Sequence, residues 1–215
     1  MKKFIVAALC AAGAATSANA AVSVSQTPGS ATYTGPTPTY TFDPGSRPAT
    51  TGGGYVATDM PLDSQPLGGS GFFYSVSPPD APGTLSLAGF GAISSLSFIW
   101  GSVDTFNVLS FLNSAGNTIY SITGSQLLGA NATGDQMSAT TNPLVTFTFT
   151  GADQNVAAMR LTSSGNPNDF SFEIDNLAIS PVPEPATWGM MLLGLGLAGA
   201  SLRRRRSAAA GLATA

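Results

Sequence analysis

The feature that most constrains this chain is a period-two alternation that recurs between residues 95 and 150. Leu96, Phe98 and Trp100 alternate with Ser95, Ser97 and Ile99, and Val145, Phe147 and Phe149 alternate with Thr146, Thr148 and Thr150. Successive side chains of a strand point to opposite faces, so β-branched and aromatic residues at this spacing predict half-buried strands. Helical spacing is nearly absent between Ala21 and Pro181. Segments Thr105–Leu112 and Thr118–Thr123 read as a hairpin, because Asn113-Ser114-Ala115-Gly116-Asn117 supplies residues that accept the positive φ of such a loop.

The last predicted strand, Phe170 to Ile179, changes parity. Phe170, Phe172 and Ile174 share one face, whereas Leu177 and Ile179 share the other. A one-residue slip at Asp175-Asn176 returns all five to the core, which is what a β-bulge does. From Ala21 to about Pro82 the chain is rich in Thr, Ser, Gly and Pro, with short strand-like patches at Thr39–Phe42 and Phe72–Val76. Residues 21–50 are expected to pack loosely. Short antiparallel strands with serine and threonine on their outward faces point to an all-β fold, an antiparallel β-sandwich of jelly-roll-like type.

Both ends of the chain read as targeting segments. Lys2 and Lys3 precede an apolar run from Phe4 to Ala15, and Ala18-Asn19-Ala20 fits signal peptidase, which places cleavage after Ala20. A lipoprotein signal at Cys10 does not fit, because Leu9 stands where a small residue is needed. The exported chain then has no cysteine, histidine or lysine, which excludes disulfides, Cys or His zinc ligands and any nucleophile that needs a histidine base. Residues 21–181 hold ten acids and two bases, a net charge of −8 that opposes binding to a phosphate backbone.

Candidate chemistry in the body is sparse. Trp100-Gly101-Ser102-Val103-Asp104-Thr105-Phe106-Asn107 reads first as a turn between strands, with Asp and Asn side chains bonding exposed amides. The functional alternative makes Trp100 a platform for a sugar ring with Asp104 and Asn107 beside it, although alternation turns Trp100 toward the core. Calcium ligands are sought at Asn166, Asn168 and Asp169, and at Glu173, Asp175 and Asn176, but no regular Asp-x-Asp-x-Asp-Gly loop is present. Asp104 and Asp175 are one arbitrary choice for a glycosidase pair. Asn131-Ala132-Thr133 matches a glycosylation sequon, a short motif common by chance.

The tail carries more information. Ala186–Leu202 is 17 uncharged residues, about 25 Å as a helix at ~1.5 Å per residue. A bilayer core is about 30 Å thick, so the segment just spans, with Trp188 and the arginines at the interfaces. Four arginines, Arg203 to Arg206, are retained on the cytoplasmic side, as are the N-terminal lysines, which leaves the acidic body outside. Gly189, Gly194, Gly196 and Gly199 weaken a helix in water, but small residues favour helix contacts in lipid.

Pro183-Glu184-Pro185, Trp188, the run Met190-Met191-Leu192-Leu193 and Arg203–Arg206 together resemble the PEP-CTERM sorting signal, in the variant with tryptophan three residues after the second proline. The resemblance covers about 25 residues, 182–206. It implies a Gram-negative bacterial protein handled by exosortase, a membrane-embedded cysteine protease thought to cut at Pro-Glu-Pro and pass the body to the surface or exopolysaccharide matrix. Gly189 stands where the variant often has alanine, and Ser207–Ala215, read as a disordered tail, is longer than usual. The body shares with some exosortase-dependent surface proteins a Trp-Gly-Ser-x-Asp string and an Asp-Asn in the final strand.

The expectation is therefore a signal peptide over 1–20, an exported β-sandwich over 21–181, and a sorting signal over 182–206 with a transmembrane helix at 186–202. No catalytic residue or cofactor is expected, apart from a structural calcium ion at one of the sites above. The expected function is a non-enzymatic surface or matrix protein that passes transiently through the inner membrane and meets exopolysaccharide. The rivals are a secreted carbohydrate-binding or carbohydrate-hydrolysing protein and an uncleaved single-pass membrane protein.

Overall fold

The computed structural model describes residues 20–165, 170–183 and 188–200. Strands β1 (Ala21–Thr27), β2 (Thr50–Thr51), β3 (Gly54–Val56), β4 (Phe73–Val76) and β5 (Gly83–Ser86) come first. After them come β6 (Ile93–Gly101), β7 (Asn107–Leu112), β8 (Thr118–Thr123), the short helix α1 (Gly124–Leu128), β9 (Leu144–Thr150), β10 (Ala158–Ser163) and β11 (Phe172–Pro181). They form two antiparallel sheets, ordered β1-β9-β6-β11-β4-β3 and β2-β5-β10-β7-β8. Nothing in that order identifies the jelly-roll wiring expected from the sequence.

The alternating apolar residues of both sheets meet in one core. Leu96, Phe98, Val145, Phe147, Ile174 and Leu177 of the larger sheet are buried with Leu85, Leu109, Phe111, Met159 and Leu161 of the smaller. Phe111 crosses between the sheets, meeting Phe147 and Phe149 edge-on at ring-centroid distances of 4.8 and 5.0 Å. Large aromatic side chains fill the interior, so burial of apolar area is the main stabilising term.

The bulge lies where parity predicts it. The β11–β6 register shifts between Asp175 and Ala178, and Asn176 takes φ 55° at the slip. Phe172, Ile174, Leu177 and Ile179 are buried as expected, but Phe170 precedes the strand and is 43% exposed.

Strands β7 and β8 pair as a hairpin, and Asn113 Oδ1 accepts from the amides of Ala115 and Asn117. Gly116 sits at φ 80° with open space where a Cβ would stand. Gly116→Ala is therefore expected to cost about 1 kcal/mol through backbone conformation alone. Thermal unfolding checks this: the midpoint should fall by roughly 2–4 °C, and an unchanged midpoint contradicts it.

The structure adds one helix to a body read as helix-free. In α1, Thr123 Oγ1 accepts from the Gln126 amide while the Gln126 side chain accepts from the Thr123 amide, a capping box. In residues 21–50 most side chains are exposed or half-buried, with points of attachment to the body. Strand β1 pairs along its whole length with β9, and Phe42 is fully buried.

The tail is helical over 188–200, and its large side chains from Trp188 to Leu197 are exposed. Among the described residues no helix is long and apolar enough to cross a membrane. The described stretch reaches about 20 Å at ~1.5 Å per residue, against about 30 Å of hydrocarbon. The spanning helix expected at 186–202 is thus not supported, and its ends lie outside the described residues.

Candidate functional site

Strand β11 turns Phe172 and Ile174 into the core, so Glu173 and Asp175 face the other way, onto the outer surface of the six-stranded sheet. Acids in that position ordinarily meet solvent. Here both are fully buried, because the long β3–β4 connection, residues 57–72, lies across them.

The connection is held by hydrogen bonds that converge on carboxylates. Glu173 Oε2 accepts from Ser102 Oγ at 2.8 Å and Oε1 from the Ser64 amide at 3.4 Å. Asp175 Oδ2 accepts from Gln65 Nε2 at 2.9 Å and the Ser70 amide at 3.1 Å, and Oδ1 from the Asn176 amide at 2.6 Å. Asp63 accepts from the hydroxyls of Ser75 and Ser171. A Cβ at Gly69 would collide with the Asp175 carboxylate, which is why a glycine passes there.

Asn142 ties this strap to the neighbouring loops. Its Oδ1 accepts from the Ser102 and Leu67 amides at 3.0 and 3.2 Å, and its Nδ2 donates to the Ser138 carbonyl at 2.9 Å. A shallow depression lined by Pro28, Tyr33, Leu67, Ile99, Asn142 and Leu144 among others lies beside it. Ile99, which alternation points away from the core, is only 3% exposed under this cover.

Burial governs the titration of these groups. Desolvation pushes Glu173 well above the ordinary carboxylate range, against the lowering influence of the hydrogen bonds from Ser102 and Ser64. Desolvation likewise raises Asp175 to about 7, opposed by the Asn176 and Ser70 amides and reinforced by the charge of Asp43. Tyr33, whose hydroxyl donates to the Pro36 carbonyl, is pushed up to about 12 by burial and by the charge of Asp175.

The candidate ligand residues fall into separate places. Trp100 is fully buried and stacks on Phe172 at 4.4 Å with 10° between the rings, so it presents no face to a sugar. Asp104 and Asn107 share the turn after β6, where the Asp104 amide donates to Asn107 Oδ1 at 2.9 Å and Asp104 bridges to Thr133. Asp175 and Asn176 sit instead at the bulge in β11, beneath the strap. The pair Asp104 and Asp175 is thus held by different segments. Asn131 of the sequon is exposed in the 3-10 turn Gly129–Asn131.

Of the calcium candidates, Glu173 and Asp175 are occupied by hydrogen-bond donors, and among the described residues no group of three or more His, Cys, Asp or Glu is placed to hold a metal. Asn166, Asn168 and Asp169 lie outside the described residues. So do Ala18, Glu184, Pro185, Arg203, Arg204, Arg205 and Arg206, whereas Ala20 and Pro183, which flank the folded body in the sequence, are exposed.

Sequence reasoning missed the strap altogether. Its one available signal was the pairing of two acids with Phe172 and Ile174 in a strand otherwise buried on both faces.

No curated protein matches the chain. A solved structure with partial likeness is the enzymatically active domain of tailspike protein 4 from bacteriophage CBA120, at 15% identity and a TM-score of 0.28. The likeness covers 75% of this chain and 19% of that one, and it is too low to carry over fold or activity. Strand β11 ends at Pro181, and the amide of Val182 still donates to the Ala92 carbonyl at 2.8 Å. From that last rung onward, residues 181–206 match the model of the PEP-CTERM protein-sorting motif, so the chain carries this sorting signal directly behind its final strand.

Proposed function

We propose that this is an exported protein whose tail delivers it, through exosortase, to the cell surface or extracellular polysaccharide matrix, where the body serves as a non-enzymatic component. The match over residues 181–206 carries the reading. Two further observations support it. The exposed side chains of Trp188, Met190, Met191, Leu192 and Leu193 form an apolar helix with no cover from the body, as expected of a segment meant for lipid or a membrane-embedded protease. The buried acids Glu173 and Asp175 are engaged in holding a loop, which favours a structural role for them.

Intact-mass measurement on cell-envelope and released fractions tests the proposal. The expected product begins at Ala21 and ends near Pro183–Pro185, and replacing Pro183 and Pro185 by alanine should leave full-length chain in the envelope. Recovery of wild-type protein only as a chain that keeps Arg203–Arg206 would overturn sorting and favour an uncleaved single-pass protein.

A further inference from the structure

Both ends of the folded body emerge at one end of the larger sheet. Ala21 pairs with Thr150, Thr148 with Ser95, and Pro181 with Ile93. Following these registers, the first residue of β1 and the last of β11 stand three strand spacings apart, about 14 Å at ~4.8 Å each. Ser86, Leu112 and Ala158 share a row of the smaller sheet, and the connections leaving that row return to the same end. This end is therefore built from residues 87–92, 113–117 and 151–157.

The two ends of the sandwich differ in charge. Those three connections contain one charged residue, Asp153, and expose small groups such as Ala88, Gly89, Ala115 and Ala152. The opposite end carries Asp63, bonded to Ser171, with Asp104 and Asp135 in the connections after β6 and α1. The nine residues of β6 separate the ends by about 30 Å, roughly three Debye lengths at moderate salt.

The tether between body and tail helix is short. Val182 is fixed to Ala92, and the described helix begins at Trp188. Six residues span at most about 20 Å at ~3.5 Å each, less than the length of the body. The apolar helix can reach lipid beside its own end of the sandwich, while the acidic end is too distant to share that surface.

We propose that the end formed by residues 87–92, 113–117 and 151–157 is a lipid-facing surface, laid against anionic headgroups while the body is attached to its tail, with the acidic end directed away. This rests on the tail being a membrane-delivered sorting signal. The uncharged loops avoid the repulsion that the acidic end would meet within a Debye length of such a surface.

The test uses the full chain carrying Cys10→Ser, which removes its single cysteine, in vesicles of phosphatidylethanolamine and phosphatidylglycerol that contain a headgroup spin label. A fluorophore is attached at Ala115→Cys or, at the far end, at Met137→Cys, a position 82% exposed. The expected result is several-fold stronger quenching at position 115 than at 137. Co-sedimentation with vesicles but equal quenching at both positions overturns the orientation alone. Failure to co-sediment overturns the reading of the tail, and the orientation with it.

Discussion

Raising the pH from about 5 to about 8 lowers the unfolding temperature of the wild-type protein, and Glu173→Gln removes a large part of that decline. Burial raises both Glu173 and Asp175, Asp175 to about 7. A carboxyl whose folded value lies above its unfolded one binds more protons when folded, so stability is fully present below the unfolded value and falls as pH rises toward the folded one. For Asp175 that window runs from about 4 to about 7. Each unit of it corresponds to about 1.4 kcal/mol at most, or about 4 °C in a protein of this size.

Glutamine imitates the neutral acid at position 173. Its carbonyl oxygen can accept from the Ser64 amide, and its amide nitrogen can donate to Ser102 Oγ, which lies 2.8 Å from the present carboxylate. The variant should match wild type near pH 5 and exceed it near pH 8. Parallel declines in the two proteins, followed by calorimetry across that range, would show that Glu173 is not kept neutral by its burial.

Trp100→Ala is expected to destabilise the body by about 3–5 kcal/mol, a loss of about 10 °C or more in the unfolding midpoint. The indole is fully buried, stacks on Phe172 and lies 6.5 Å from Phe98, so its removal opens a cavity at the junction of β6 and β11. Trp100→Phe separates volume from chemistry. Among the described residues Nε1 has no hydrogen-bond acceptor, so replacing indole by phenyl sacrifices contact area without breaking a bond to protein. Its cost should stay below about half that of the alanine variant. Near-native stability of Trp100→Ala in thermal or urea unfolding would refute the packing role.

What could be read in the sequence, and what could not, follows from the range of the forces involved. Alternation in Ser95–Trp100 and Val145–Thr150 reports a local geometry, and those segments became β6 and β9. The parity change before Leu177 located the bulge for the same reason. Helix α1 was equally legible, because Thr123 and Gln126 spell a capping box, but its short length hid it beneath the strand pattern. The strap was illegible: residues 57–72 look like a solvated loop, and their amides find Glu173 and Asp175 more than a hundred positions away. Phe170 shows the converse limit, since alternation extends past the point where pairing stops. In the tail, composition revealed an apolar segment and its flanking charges, while its reach depends on where helical hydrogen bonding ends.

The slip at Asp175-Asn176 also decides where this body can tolerate changes in length. Deleting one residue there would turn Leu177 and Ile179 outward and shift every rung up to Val182, dragging the start of the sorting signal out of step with β6. The Asn113–Asn117 loop, exposed and bonded mainly within itself, absorbs an added or missing residue without moving either sheet. Insertions and deletions should therefore collect in the turns, and the final strand should keep its length residue for residue.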